Sequence, residues 1–436
     1  MKKQLIVVAA LLLTALAASV AYAGVKIEHW VAPSGARVYF VETHALPILD
    51  VQVDFAAGAA FDPPGKAGLA AMTRGLLDAG TADMDEEKIA GRLVDLGVHL
   101  TASGDYDRAG LTLRTLSAPT ERDGALDLMR TLLAQPAFPE GPLAREKTRG
   151  IAAIQEADTR PDSIAAKRFA AAIYPDHPYG ITATAESIGR ITRDDLVAFH
   201  RAYYSAKRAA ISIIGDVTRA QAEDIAQKLT ATLPAGVEDT SLPAVKSPTQ
   251  GIVRIAHPAT QSHIHVGLPA LKRNDPDFYA LQVGNYSLGG GGFVSRLMKE
   301  VREKRGYAYS VYSYFAPRKL EGPFEIGLQT KREQAGEALK VAQDVLAGFL
   351  AQGPTEKELT AAKKNLIDGF GLRFDSNAKL LGYLSAIGFY HLPLTYLDDF
   401  PAKVRAVTAK DVRAAFQRHV KPENLVTVIV ATDEKP

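Results

Sequence analysis

Arg302 and Tyr309 stand seven positions apart in the run Arg302-Glu303-Lys304-Arg305-Gly306-Tyr307-Ala308-Tyr309. Their types suit one chemical task. A guanidinium offers N–H donors whose charge does not titrate, and a phenol offers an O–H that can donate to an oxygen gaining negative charge. Phe293, Leu297 and Val301 recur at helical spacing, so a helix over Phe293–Glu303 is expected, with Arg302 at the edge of its apolar stripe. Gly306 can end that helix. Tyr307, Tyr309 and Val311 alternate and are expected on one face of the following strand. Helix edge and strand start can then meet at one point. Taken alone, the spacing also fits a surface charge beside a packed strand residue.

Other candidates carry less. His263 and His265 share a strand face with no evident carboxylate nearby, and such a pair is more often core or surface than a ligand set. His29, His44, His99, His177, His200, His257, His391 and His419 show no ligand spacing, and His177 in His177-Pro178-Tyr179-Gly180 reads as loop packing. No G-x-S-x-G motif is present. Gly289–Gly292 is followed by no G-K-[ST], so it is no phosphate loop and reads as a flexible connection or a helix-capping turn. The chain has no cysteine. Disulfides, thiolate zinc sites, iron–sulfur clusters and cysteine nucleophiles are thereby excluded.

The elements that must position these residues read as a duplicated unit. A length of 436 residues, 47% hydrophobic and 23% charged, is that of a globular protein of two or three domains. Lys2 and Lys3, the apolar run Leu5 to Ala18 and Ala21-Tyr22-Ala23 form a secretory leader over 1–23. The run is short for a membrane span, so cleavage after Ala23 is expected rather than anchoring, and the location is periplasmic or secreted. The two leader lysines account for the whole +2 formal charge. The balance left argues against nucleic acid as a partner. No later stretch is long and apolar enough to span a membrane.

In the first half, strands are expected at Arg37–Glu42, Leu49–Phe55, Val98–Ala102, Gly110–Leu116 and Ala210–Ile214. Leu49, Val51, Val53 and Phe55 alternate with Asp50, Gln52 and Asp54, which reads as a half-buried strand. Helices fall at Ala67–Ala79, Glu86–Leu96 and Thr192–Tyr203. The second half repeats the order. Its strands are Ile252–Ala256, His263–Leu268, Ala308–Phe315, Phe324–Gln329 and Leu425–Val430. Its helices include Phe278–Leu288, Phe293–Glu303 and Ala409–His419. Ile191-Thr192-x-x-Asp195-Leu196-x-Ala198 aligns with Val407-Thr408-x-x-Asp411-Val412-x-Ala414, each Thr placed as an N-cap. Domains are therefore expected at 24–232 and 251–436, joined by a Pro/Ser/Thr/Gly-rich linker over 233–250. The fold class is α+β: two homologous domains, each a largely antiparallel sheet with helices on one face.

The ordered motifs resemble a known family. His44-x-Leu46-Pro47, Gly65-x-x-Gly68-Leu69-Ala70, Gly80-Thr81, His177-Pro178-Tyr179-Gly180, the glycine run 289–292 and the Arg302–Tyr309 segment span nearly the whole chain after the leader. Together they are similar to the pitrilysin/insulysin and mitochondrial-processing-peptidase-like zinc peptidases, the inverzincins. Active members carry H-x-x-E-H on the first helix, two His ligating zinc and a Glu activating water. The resemblance puts Ala71, Arg74 and Gly75 at those positions. The third ligand position falls at Ala152-Ala153, with Glu156 about one turn late. Alanine and glycine have no donor atoms, and arginine cannot take a proton.

The resemblance implies that Arg302 and Tyr309 hold substrate and stabilise an oxyanion at a partner's zinc site, and that Gly290, Gly291 and Gly292 lie near the substrate path. This implies a non-catalytic, substrate-binding subunit of a periplasmic heteromeric zinc metallopeptidase. It would be inactive alone, with no cofactor of its own, a homologous zinc-bearing subunit as partner and peptides as substrates. The alternative is a scaffold or peptide-binding pseudo-peptidase. A self-sufficient peptidase with other ligands is disfavoured.

Overall fold

The computed structural model describes residues 25–237 and 241–431. The leader expected over 1–23 lies outside the described residues. Strands β1 Glu28–Val31, β2 Arg37–Glu42, β3 Ile48–Phe55, β4 His99–Gly104, β5 Ala109–Leu116 and β6 Ala209–Gly215 form one sheet, in the order β1-β2-β6-β3-β5-β4. Strands β7 Gly251–Ile255, β8 Gln261–Leu271, β9 Ala308–Phe315, β10 Gly322–Lys331 and β11 Val426–Val430 form the other, in the order β7-β11-β8-β10-β9. Only β2 with β6 and β7 with β11 run parallel. With β1 set aside, the two orders correspond strand for strand, so β4 and β9 are matching open edges. Residues 231–237 and 241–250 form neither helix nor strand.

Helices α1 Leu69–Gly75, α2 Glu86–Asp95, α3 Pro119–Ala134, α4 Glu140–Ala157, α5 Pro161–Ile173, α6 Ala185–Arg190, α7 Arg193–Tyr203 and α8 Arg219–Thr230 precede β7. Helices α9 Phe278–Asn285, α10 Ala335–Gln352, α11 Glu356–Asp368, α12 Asn377–Tyr390, α13 Tyr396–Ala406 and α14 Ala409–His419 follow it. Thr192 and Thr408 cap α7 and α14 by accepting the N–H of Asp195 and Asp411, whose side chains bond back. These are reciprocal capping boxes at equivalent points of the two halves.

One face of each sheet is covered by its own helices, and the other by a helix from the opposite half. Helix α5 lies across β8 and β11, while α12 lies across β2, β3 and β6. Both crossings are close. A Cβ on Gly267 would come within 2.8 Å of Phe169, and one on Gly388 within 2.6 Å of the Tyr39 ring. Leu384 and Ile387 of α12 are fully buried, which stabilises the joint by about 1.5–3 kcal/mol per side chain. This exchange corrects the one-faced sheet expected from sequence. It also corrects the half-buried reading of β3, because Asp50, Gln52 and Asp54 are all buried.

Buried polar groups need partners. Asp50 finds Arg114 of the neighbouring β5, at 2.6 and 3.1 Å, whereas Gln52 and Asp54 find theirs across the seam. Asp54 accepts from Gln52 Nε2 at 2.9 Å and from Ser385 Oγ at 2.6 Å, with Arg108 Nη1 at 3.5 Å. Burial pushes the Asp54 carboxyl up despite Arg108. Asp107 accepts from the hydroxyl of Tyr179, from Tyr390 OH at 3.0 Å and from the Lys319 N–H at 2.8 Å. One carboxylate thus joins the first half to two elements of the second.

The start of α1 rests on Asp62. Its oxygens accept the N–H groups of Gly68 and Ala70, each at 2.7 Å. Burial pushes this carboxyl from its ordinary 3.8 up to about 6, and the two backbone donors only partly offset the effect. A carboxyl raised in the folded state contributes stability that is present in full below pH 3.8 and lost as pH rises through about 6.

Two predictions follow from this packing. Asp107→Ala leaves two buried hydroxyls and an N–H without their acceptor and should cost about 3 kcal/mol or more in urea unfolding; a loss below about 1 kcal/mol would contradict the seam's role. Asp62→Asn cannot ionise. From pH 4 to 7 its stability relative to the native chain should improve by up to about 3 kcal/mol. A difference that does not change with pH would contradict the burial of Asp62.

Candidate functional site

Helix α1 carries the positions that the resemblance assigns to metal chemistry. Ala71 and Gly75 are exposed on one face, and a Cβ at Gly75 would meet nothing within 4 Å. The open face of an i, i+4 pair is present, but the side chains that would use it are not. Arg74 reaches over the edge strand β4, so close to Gly104 that a Cβ there would collide with its guanidinium. Ala152, Ala153 and Glu156 are exposed on α4. Glu156 joins no cluster of three donor groups among the described residues. A zinc ion needs three or four N, O or S donors. Ala71, Arg74 and Gly75 supply none, so these residues do not fit zinc.

The other half assembles what the first lacks. Arg302 and Tyr309 meet: the Arg302 Cζ lies 4.6 Å from the centre of the Tyr309 ring and 4.8 Å from that of Phe293. The elements beneath differ from the expected helix and strand. Ser295 has extended backbone and separates a short 3₁₀ turn, Gly292–Val294, from the helical turns ending in Met298–Glu303, which are of π type. Phe293 therefore leaves the buried stripe of Leu297 and Val301 and is 61% exposed. Gly306, at φ 65°, ends the segment as expected.

Tyr309 does not share a face with Val311. The β9–β10 register shifts so that Ser310 faces Gln329 and Ala308 faces Thr330. Tyr309 is the extra residue of a bulge, and a bulge re-aims one side chain against the alternation. It is 84% exposed, while Val311 is buried.

The charge on Arg302 is left unneutralised. Glu300 accepts from Lys304 at 2.6 Å and from Arg305 at 2.9 Å. Among the described residues Arg302 has no ion pair. Around it, Phe293, Val294, Tyr309, Tyr312 and Tyr314 form an exposed apolar and aromatic ledge along the β9 edge. The Tyr312 and Tyr314 rings stack at 5.9 Å. Tyr314 OH donates to Glu325 at 2.6 Å, and His265 Nδ1 lies 2.7 Å from the other Glu325 oxygen.

Sequence alone did not place Glu325 beside His265, because the two meet only through the β8–β10 pairing. Neither His263 nor His265 enters a three-donor cluster among the described residues. His177 packs its loop, accepting the Tyr179 N–H at 3.1 Å, with Nε2 3.0 Å from the Pro243 carbonyl.

The glycine run is no loose connection. A Cβ at Gly289 would come within 2.5 Å of Ser313 N, at Gly290 within 2.5 Å of Asn285 Nδ2, and at Gly291 within 2.6 Å of the Tyr286 carbonyl. Only Gly292, at φ 60°, has open space. The run closes a π-type turn, Tyr286–Gly290, whose last donor is the Gly291 N–H, 2.9 Å from the Tyr286 carbonyl. One cluster went unseen in sequence: Asp275, Asp277 and His419 converge, although the histidine lies far along the chain. Arg418 already holds both Asp277 oxygens, at 2.6 and 2.8 Å, and His419 Nδ1 lies 2.8 Å from the Ala270 carbonyl. This is a helix-end ion-pair network.

Residues 37–186 match the family model for insulinase, peptidase family M16, and residues 190–366 match that for the peptidase M16 inactive domain. A solved peptidase M16 inactive domain from Pseudomonas fluorescens superposes with TM-score 0.89 at 38% identity, covering 94% of this chain and 98% of that chain. The non-peptidase homolog YmxG of Helicobacter pylori is 25% identical over 402 residues, 91% of this chain and 92% of its own length. The periplasmic protease PqqL from Escherichia coli shares the fold, with TM-score 0.79 at 17% identity; 93% of this chain covers 45% of that one. No helix among the described residues is long and apolar enough to cross a membrane. The chain belongs to the M16, or insulinase, peptidase family as an inactive, pseudo-peptidase member.

Proposed function

We propose that this chain is the non-catalytic, substrate-binding subunit of a periplasmic heteromeric zinc metallopeptidase. Arg302 and Tyr309 serve the zinc site of a homologous partner subunit. The observation that carries this reading is the Arg302–Tyr309 contact at 4.6 Å, on an exposed ledge, with no counter-ion for the arginine among the described residues. Hydrolysis of a peptide bond places negative charge on the former carbonyl oxygen. Arg302 N–H and Tyr309 O–H groups are the donors that such an oxygen requires. The open edge of β9 beside them suits an extended peptide, held by main-chain hydrogen bonds with Tyr312 and Tyr314 against alternate side chains. Gly290, Gly291 and Gly292 would line the approach.

Two further points support pairing and location. The chain matches 45% of PqqL, so a protein of this fold has room for a second unit of similar size. Lys2, Lys3 and the apolar run to Ala18 are the marks of an exported chain.

A second reading is a scaffold or peptide-binding pseudo-peptidase with no part in turnover. The matches to the M16 inactive domain and to a non-peptidase homolog favour it. Co-expression with a zinc-bearing homologue from the same genome separates the two. In the pair, Arg302→Ala should lower kcat/KM on peptides by about a hundredfold while leaving the chain's melting unchanged, since Arg302 makes no ion pair among the described residues. Unchanged turnover favours the scaffold. Peptidase activity from this chain alone that survives chelation would contradict both.

A further inference from the structure

A small cavity of about 250 Å³ opens where the two halves meet. Its wall includes Arg37 from β2, Arg273 from the turn after β8, Lys319 from the β9–β10 turn, and Phe389, Tyr390 and His391 from the end of α12. No carboxylate lines it. None of the three cations is in an ion pair among the described residues, although the protein carries many such pairs elsewhere.

The donors are only partly used. One Arg37 nitrogen donates to the Gly388 carbonyl at 2.9 Å and lies 2.7 Å from His391 Nε2. Arg273 Nε is buried with no acceptor among the described residues, and its Cζ lies 5.2 Å from the Tyr390 ring centre. Lys319 gives its backbone N–H to Asp107, but its ammonium has no hydrogen bond or ion pair among the described residues. Asp107 lies buried behind the wall, where it accepts from Tyr179 and Tyr390, and it offsets only part of the charge on Lys319.

The groups register the excess charge. Burial first, then the Arg37 and Lys319 cations, hold His391 below its usual range. Lys319 is lowered by burial, and Arg208 and Arg37 oppose the help that Asp107 gives. His391 sits at the C-terminal end of α12. A helix dipole there ordinarily favours the charged imidazole. Burial and the positive wall together outweigh it.

We propose that this cavity binds a small oxyanion, a phosphate or carboxylate group, gripped by Arg37, Arg273 and Lys319 across the seam of the two halves. Planar guanidinium groups match both anions by paired N–H donors. The volume falls below the roughly 300–1,000 Å³ of sites for drug-sized ligands, so the occupant is a small ion or the end group of a small molecule. Because its ligands come from both halves, the anion would tighten the joint between them.

Thermal unfolding of the full chain tests this, in sodium phosphate, sodium acetate and sodium chloride at matched ionic strength. At saturation, phosphate or acetate should raise Tm over chloride by about 3–6 °C. A rise with phosphate alone assigns a phosphate group, and one with acetate alone a carboxylate. Lys319→Ala should lose most of that rise while melting normally in chloride. Lys319→Glu places a carboxylate in the cavity, so it should melt higher than the native chain in chloride and respond to neither anion. Equal Tm values in all three salts would overturn the proposal. So would an equal rise in the native chain and both variants, which marks general salt exclusion rather than a site.

Discussion

Neither sheet in this protein is completed by its own half of the chain. Helix α12 must cross β2, β3 and β6, and α5 must cross β8 and β11, for the second face of each sheet to leave water. The exchange makes the halves one packing unit. It also forces the polar face of β3 into the interior, where Asp54 depends on Ser385 from the other half. A buried carboxylate without such partners would cost several kcal/mol. The seam is therefore polar where it is most deeply buried, and its specificity comes from geometry that only the correct pairing satisfies.

With the inner faces committed to each other, the outer edges β4 and β9 are what the chain can offer. The two edges have diverged. Near β4, Arg74 lies over Gly104, and the open face of α1 carries Ala71 and Gly75. At β9, a bulge turns Tyr309 outward and a broken helix frees Phe293 to pack on Arg302. The positions that the resemblance assigns to a metal site, Ala71, Arg74 and Gly75, offer no donors for one. The other half presents Arg302, without an ion pair among the described residues, and the Tyr309 phenol side by side.

Much of this was legible in the residues. Alternation marked the strands, and Thr192 and Thr408 marked equivalent caps. Motif order revealed the family. Three features were hidden for separate reasons. The bulge at Tyr309 is a single-residue offset against the partner strand, and nothing in composition marks it. The split before Arg296 turns on the backbone of Ser295, a residue that helices tolerate. The crossing of α12 did leave a trace: Leu380, Leu381, Leu384, Ile387 and Phe389 make its sequence apolar all round, the mark of a helix buried on every side. What it is buried against depends on contacts hundreds of residues apart, which local periodicity does not encode.

The metal content of the purified proteins tests the central claim most directly: that this chain lends donors to a site it cannot itself build. Elemental analysis would compare this chain alone with the complex it forms with a zinc-bearing homologue. The account predicts no stoichiometric zinc in the chain alone, and zinc in the complex in proportion to the partner subunit. One equivalent of zinc held by this chain in isolation would contradict it.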